Sequence, residues 1–165
     1  MIRASIPLTI LPLLLGLGGC RGEGGEMLRS EPLKFERLTI PEVERQKQGT
    51  GASDKAIPAQ VKVFTNAASW REFWAGYTSD KPGDIDFRSN IVVGVFLGPA
   101  SPGHGVEITR IDYHPKGPSN VIRVTDWKPS PSFTYPAVIV HPADVVRFPF
   151  RPGQIILDRT TKERK

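Results

Sequence analysis

The chain has 165 residues, a formal net charge of +5, 39% hydrophobic residues and a single cysteine. That is enough for one core of its own, and one cysteine excludes an internal disulfide framework. The positive charge is scattered and falls in no nucleic-acid-binding motif, so it reads as a basic surface suited to anionic headgroups or wall polymers rather than to nucleic acid.

The first element is a targeting segment. Arg3 supplies a short positive region, Ile6 to Leu17 an apolar stretch too short to span a bilayer, and Leu17-Gly18-Gly19-Cys20 follows directly. The last four residues resemble the bacterial lipobox. The resemblance implies removal of residues 1–19 as a signal peptide, lipidation of Cys20, and a membrane-anchored protein of the bacterial cell envelope, on the outer membrane or the outer face of the cytoplasmic membrane. Residues 20–32, polar and glycine-rich, then form a flexible tether.

A single globular domain is expected over 33–158, with a polar tail at 159–165. Leu33 to Leu38 reads as a first strand, Pro41 to Lys55 as an exposed loop, and Gln60 to Phe64 as a second strand. Asn66 to Tyr77 is the one strongly periodic stretch. Trp70, Phe73, Trp74 and Tyr77 fall at i, i+3, i+4 and i+7, so a helix there lays four aromatic rings on one face. Asn66 can cap it, or Ser69 with Glu72 can form a capping box that starts it later. In the following loop, Asp80, Asp84 and Asp86 lack the spacing of a calcium loop.

Ile91 to Leu97 is a short, β-branched apolar run that suits a strand buried on both faces. Gly98-Pro99-Ala100-Ser101-Pro102-Gly103-His104-Gly105 breaks regular structure, and Val106 to Tyr113 resumes as a strand. Val121 to Trp127 is a further strand after a turn, Lys128 to Ser132 a second proline-set loop, and Phe133 to His141 strand-like apart from Pro136. Gln154 to Leu157 is a last short strand. The expected fold class is α+β, a mostly antiparallel sheet, meander or sandwich-like, packed by one aromatic-faced helix.

If strands 91–97, 106–113, 121–127 and 134–140 run up and down, the 98–105 and 128–133 loops emerge at one end of the sheet. Gly98, Pro99, Ser101, Pro102, Gly103, His104, Pro129, Pro131 and Phe133 are then the candidate binding residues, since stiff loops lose little entropy on docking. No catalytic constellation stands out. The three histidines match no zinc pattern, and the 98–105 stretch lacks the spacing of a nucleotide loop. No cofactor or metal is implied.

Taken in order, Asn66-Ala67-Ala68-Ser69-Trp70, Phe73-Trp74, Asp86-Phe87, the Ile91–Leu97 run with Gly98, Gly105-Val106-Glu107-Ile108-Thr109-Arg110-Ile111 and Tyr135-Pro136-Ala137 resemble the PrcB C-terminal domain family. The resemblance covers Leu33 to about Phe150. It implies a small exported, often lipidated protein and no catalytic residues; the family's namesake associates with and stabilises a surface serine-protease complex. Where that family's loop usually runs Pro-Thr-Gly-Gly-Tyr, this chain has Ala100-Ser101-Pro102-Gly103-His104-Gly105. The expected function is therefore a non-enzymatic membrane-anchored accessory module that binds an exported or envelope protein. The alternative is a module that binds a small ligand or envelope polymer.

Overall fold

A computed structural model describes residues 30–47, 56–78 and 82–164. The expected leader, Cys20 and most of the expected tether lie outside the described residues. Among the described residues eight strands and two helices follow one another as β1 (Glu31–Pro32), β2 (Glu36–Arg37), α1 (Pro41–Lys47), β3 (Gln60–Phe64), α2 (Ala67–Ala75), β4 (Asn90–Phe96), β5 (Gly105–His114), β6 (Ser119–Lys128), β7 (Ala143–Pro149) and β8 (Gln154–Glu163). They build two four-stranded sheets, ordered β1-β5-β6-β8 and β2-β7-β4-β3. Every described pairing is antiparallel except β6 with β8. The α+β, mostly antiparallel architecture is thus the one expected, in its sandwich form.

Strand β4 holds the layers together because both its faces are apolar. Ile91, Val93 and Val95 enter the core between the sheets, with Ile108, Ile122 and Phe148. Val92 and Phe96 face the other way, into a second cluster with Trp70, Trp74 and Val145. Period-two alternation makes this division, and no polar position interrupts it. Helix α2 covers that second face. Asn66 caps it, its side-chain oxygen accepting the Ser69 N–H at 2.8 Å, so the helix begins at the earlier of the two candidate caps. Trp70 and Trp74 are buried while Phe73 and Tyr77 pack at the margin. The rings meet mainly edge-to-face, Phe64 with Trp70 at 5.0 Å and Trp70 with Trp74 at 5.4 Å between centroids, the arrangement that ring quadrupoles favour.

Several expectations are corrected. Of the expected 33–38 strand only Glu36–Arg37 forms, as β2, while β1 (Glu31–Pro32) lies in the last two residues of the expected tether and joins the other sheet, because Leu33 is drawn into the inter-sheet core and Leu38 into the helix-side cluster. Part of the 41–55 loop is α1, opened by proline at its first position and buried through Ile40 and Val43. The strand over 134–140 is absent: Pro136 interrupts it, Val138 and Ile139 are exposed, and only an isolated bridge, Ala100 to Val140, remains. The four strands therefore form no single meander, since β4 and β5 belong to different sheets. The last strand is longer than expected. It takes in residues 159–163 of the supposed tail, because its partner is the neighbouring β6, whose ten residues it matches in register.

The register fixes two poles. Gly105, Trp127 and Lys162 line up at one end of the first sheet. Glu31 pairs with Tyr113 at the other, so the chain enters the domain there.

Candidate functional site

Although the meander is absent, the 98–105 and 128–133 loops do meet. Gly105 opens β5 and Lys128 closes its neighbour β6, so both loops leave the sheet at the same pole. Gly103 has φ +88°, and a Cβ there would sit 2.7 Å from Pro129 Cβ and 2.7 Å from the Tyr135 ring. Glycine is thus required twice over, for its conformation and for the close approach that locks one loop on the other.

The expected residues divide into three groups. Pro102, Gly103 and His104 line a cleft of about 460 Å³. Phe133, 60% exposed, lines an adjoining open groove of about 1220 Å³. Pro129 braces Gly103 from behind, whereas Pro99, Ser101 and Pro131 are exposed and line neither space. Gly98 is a correction: it is buried against Ala59, away from both spaces.

Ser101 and His104 are in contact, with Ser101 Oγ 3.1 Å from His104 Nδ1. The same nitrogen lies 3.0 Å from the Ser101 carbonyl oxygen, which can only accept. Which of the two contacts Nδ1 makes depends on the imidazole tautomer, and either one closes the turn between residues three apart. His114 lies at the opposite pole, paired with Ser119. Among the described residues no three His, Cys, Asp or Glu side chains are placed to hold a metal ion, and no helix is long and apolar enough to cross a membrane.

Four further residues build the cleft, and isolated motifs gave no sign of them. Asp144, at the start of β7, accepts the Ile108 N–H at 2.7 Å. Arg37, on β2, donates Nε to Asp144 Oδ2 at 3.2 Å, and its Nη2 to Glu107 Oε1 at 3.0 Å and to the Ile108 carbonyl at 2.8 Å. Side chains of one sheet thereby stand in for a missing strand partner on the free edge of β5. The fourth residue is Trp127, shared with Glu107 and Arg164 between the cleft and the groove. Lys162 Nζ lies 6.0 Å from the centre of the Trp127 ring. The signal that joins these positions is strand register across 36 and 107 residues, which needs the sheet topology to be known.

No protein-family model matches the chain, and neither a curated protein nor a solved structure is detectably similar to it. The site is therefore read from its own geometry. It offers a braced double loop, an exposed aromatic ring, a floor of mixed charge and a strand edge partly capped by side chains.

Proposed function

We propose that the chain is a non-enzymatic binding module, anchored to a bacterial membrane through lipid on Cys20, that docks an exported or envelope protein at the pole formed by the 98–105 and 128–133 loops. The observation that carries this reading is the Gly103 contact with Pro129 and Tyr135. It fixes the two loops against each other before any partner arrives, so little conformational entropy remains to be lost on association. Phe133 beside them supplies the exposed aromatic surface typical of an interface anchor. The resemblance to the PrcB C-terminal domain family supports a partner of the exported-protease type.

The chain's point of entry supports the same reading. β1 joins the domain beside Tyr113, at the pole opposite the loops. An anchor at Cys20 would then leave the loop pole facing away from the bilayer, toward proteins. A second reading, a small polar ligand in the 460 Å³ cleft, has the cleft itself in its favour. The charges of Arg37, Glu107 and Asp144 there are already spent on one another.

Photo-crosslinking in intact membranes tests the docking. A benzophenone amino acid placed at Ser132 should give a discrete protein adduct by mass spectrometry, and the same group at Gly117, on the far pole, should not. Equal adducts from both positions, or none from Ser132, would refute it.

A further inference from the structure

We propose that Arg164 receives a single carboxylate of an extended polypeptide segment lying in the groove between Trp127 and Phe133. This deepens the docking reading and rests on it.

The first observation is an imbalance among arginines. Seven of those described place a guanidinium nitrogen within 4 Å of a carboxylate, and Arg71 bonds a carbonyl of its own helix. Among the described residues, the Arg164 guanidinium has neither an ion pair nor a hydrogen bond. Yet Arg164 is positioned. Its backbone N–H donates to the Lys128 carbonyl at 3.0 Å, prolonging the ladder by one residue beyond β8. Its Nη2 lies over Gly105, 3.1 Å from where a Cβ would stand. A glycine in the opening position of a strand contributes no packing; here its bareness makes room for the guanidinium.

The surroundings define what the cation would meet. Trp127 lies beside Gly105, its Cδ1 3.5 Å from the same Cβ position, and the exposed Phe133 ring borders the groove. Glu107, Glu163 and Lys162 line the groove as well, the lysine with its Nζ 6.0 Å from the centre of the Trp127 ring. With Glu107 already paired to Arg37, Arg164 is the guanidinium left for a ligand, and one carboxylate flanked by apolar side chains satisfies it and covers the two rings. Backbone groups favour a polypeptide. The Ile108 N–H and carbonyl point off the free edge of β5, toward Asp144 and Arg37. By strand alternation those of Val106, two residues earlier and lining the cleft, point the same way. The Ile108 groups are taken by Asp144 and Arg37, so a segment that runs on from the groove into the adjoining cleft can pair with those of Val106.

The test uses the full-length chain in detergent micelles on arrays of immobilised decapeptides. Each carries one glutamate between leucine and phenylalanine, alongside glutamine versions and free-acid or amidated C-termini. The wild type should prefer the carboxylate peptides by about 10–100-fold. Arg164→Gln should erase the preference, and Arg164→Lys should restore part of it. The free-acid and amide arms tell a side-chain carboxylate from a chain terminus. Equal binding to glutamate and glutamine peptides, or a preference that survives Arg164→Gln, overturns the inference. So does a wild type that binds no peptide; if the Ser132 adduct still forms, the docking reading stands without it.

Discussion

Asp144 Oδ2 accepts the Ile108 N–H at 2.7 Å, a bond from one sheet of the sandwich to the edge of the other. The carboxylate is nearly buried, its side chain 7% exposed, and Arg37 Nε lies on the same oxygen at 3.2 Å. Without Asp144 the Ile108 donor has no partner and Arg37 loses half its neutralisation. Asp144→Ala should therefore lower stability by about 1–3 kcal/mol, the usual cost of orphaning a buried donor. Asp144→Asn keeps an acceptor for Ile108 and should cost less. Urea-denaturation midpoints of the two variants check the order, and equal values would mean that the bond to Ile108 contributes nothing.

That bond also marks what could be read in advance. The aromatic spacing of 70–77 and the β-branched run of 91–97 are local patterns, and each forms the element its period demands. The meeting of the two loops was legible as well, because a β5–β6 hairpin alone brings Gly105 to Trp127. Asp144 and Arg164 were not. Their roles follow from β7 joining the second sheet and from β8 returning parallel to β6, and neither pairing leaves a mark in local composition. Phe133 to His141 misled for the opposite reason: strand-like composition there surrounds Pro136, and most of the segment is exposed.

The bracing of the loops can be tested at Gly103. An alanine there is strained at φ +88° and collides with Pro129 and Tyr135. Gly103→Ala should cost more than about 1 kcal/mol and reduce Ser132 crosslinking, because the loops must part. Gly117→Ala meets nothing within 4 Å and should leave both melting temperature and adduct unchanged. Crosslinking that survives Gly103→Ala undiminished would show that docking does not need the loops locked.

Trp74 is fully buried and touches both Trp70 and Phe96. Trp74→Ala should cost roughly 3–5 kcal/mol, as for other large core aromatics. Among the described residues its Nε1 has no hydrogen-bond partner, so the indole also carries the penalty of a buried unpaired donor. Trp74→Phe removes that donor while keeping a ring, and should cost less than half as much as the alanine change. Chemical denaturation of the two variants measures the difference.

Asp86 ends its loop as a small cap. Hydrogen bonds from the side chains of Arg88 and Ser89 and from the Arg88 backbone hold its carboxyl below the usual carboxylate range. A folded-state value below the unfolded one contributes stability at higher pH. That contribution is lost as the pH falls through the folded value. The midpoint of the Asp86 carboxyl followed by NMR should lie below those of unpaired aspartates and rise in Arg88→Ala. An unchanged midpoint in that variant would remove Arg88 as the main cause.

The proposed anchor at Cys20 makes a prediction about direction. Ten residues separate Cys20 from Glu31, a span of at most roughly 40 Å when fully extended. The chain then enters beside Tyr113, and the ten residues of β5 carry the loops about 30 Å farther along the sheet. The point of entry favours the 115–118 turn as the pole nearer the bilayer and the loops as the farther one. Fluorophores on single cysteines at Gly117 and Ser132 of the lipidated protein, in vesicles with spin-labelled lipids, should be quenched unequally, Gly117 strongly and Ser132 weakly. The reverse would put the loop pole on the membrane, and Phe133 and Ile139 would then be contacts for lipid rather than for a protein.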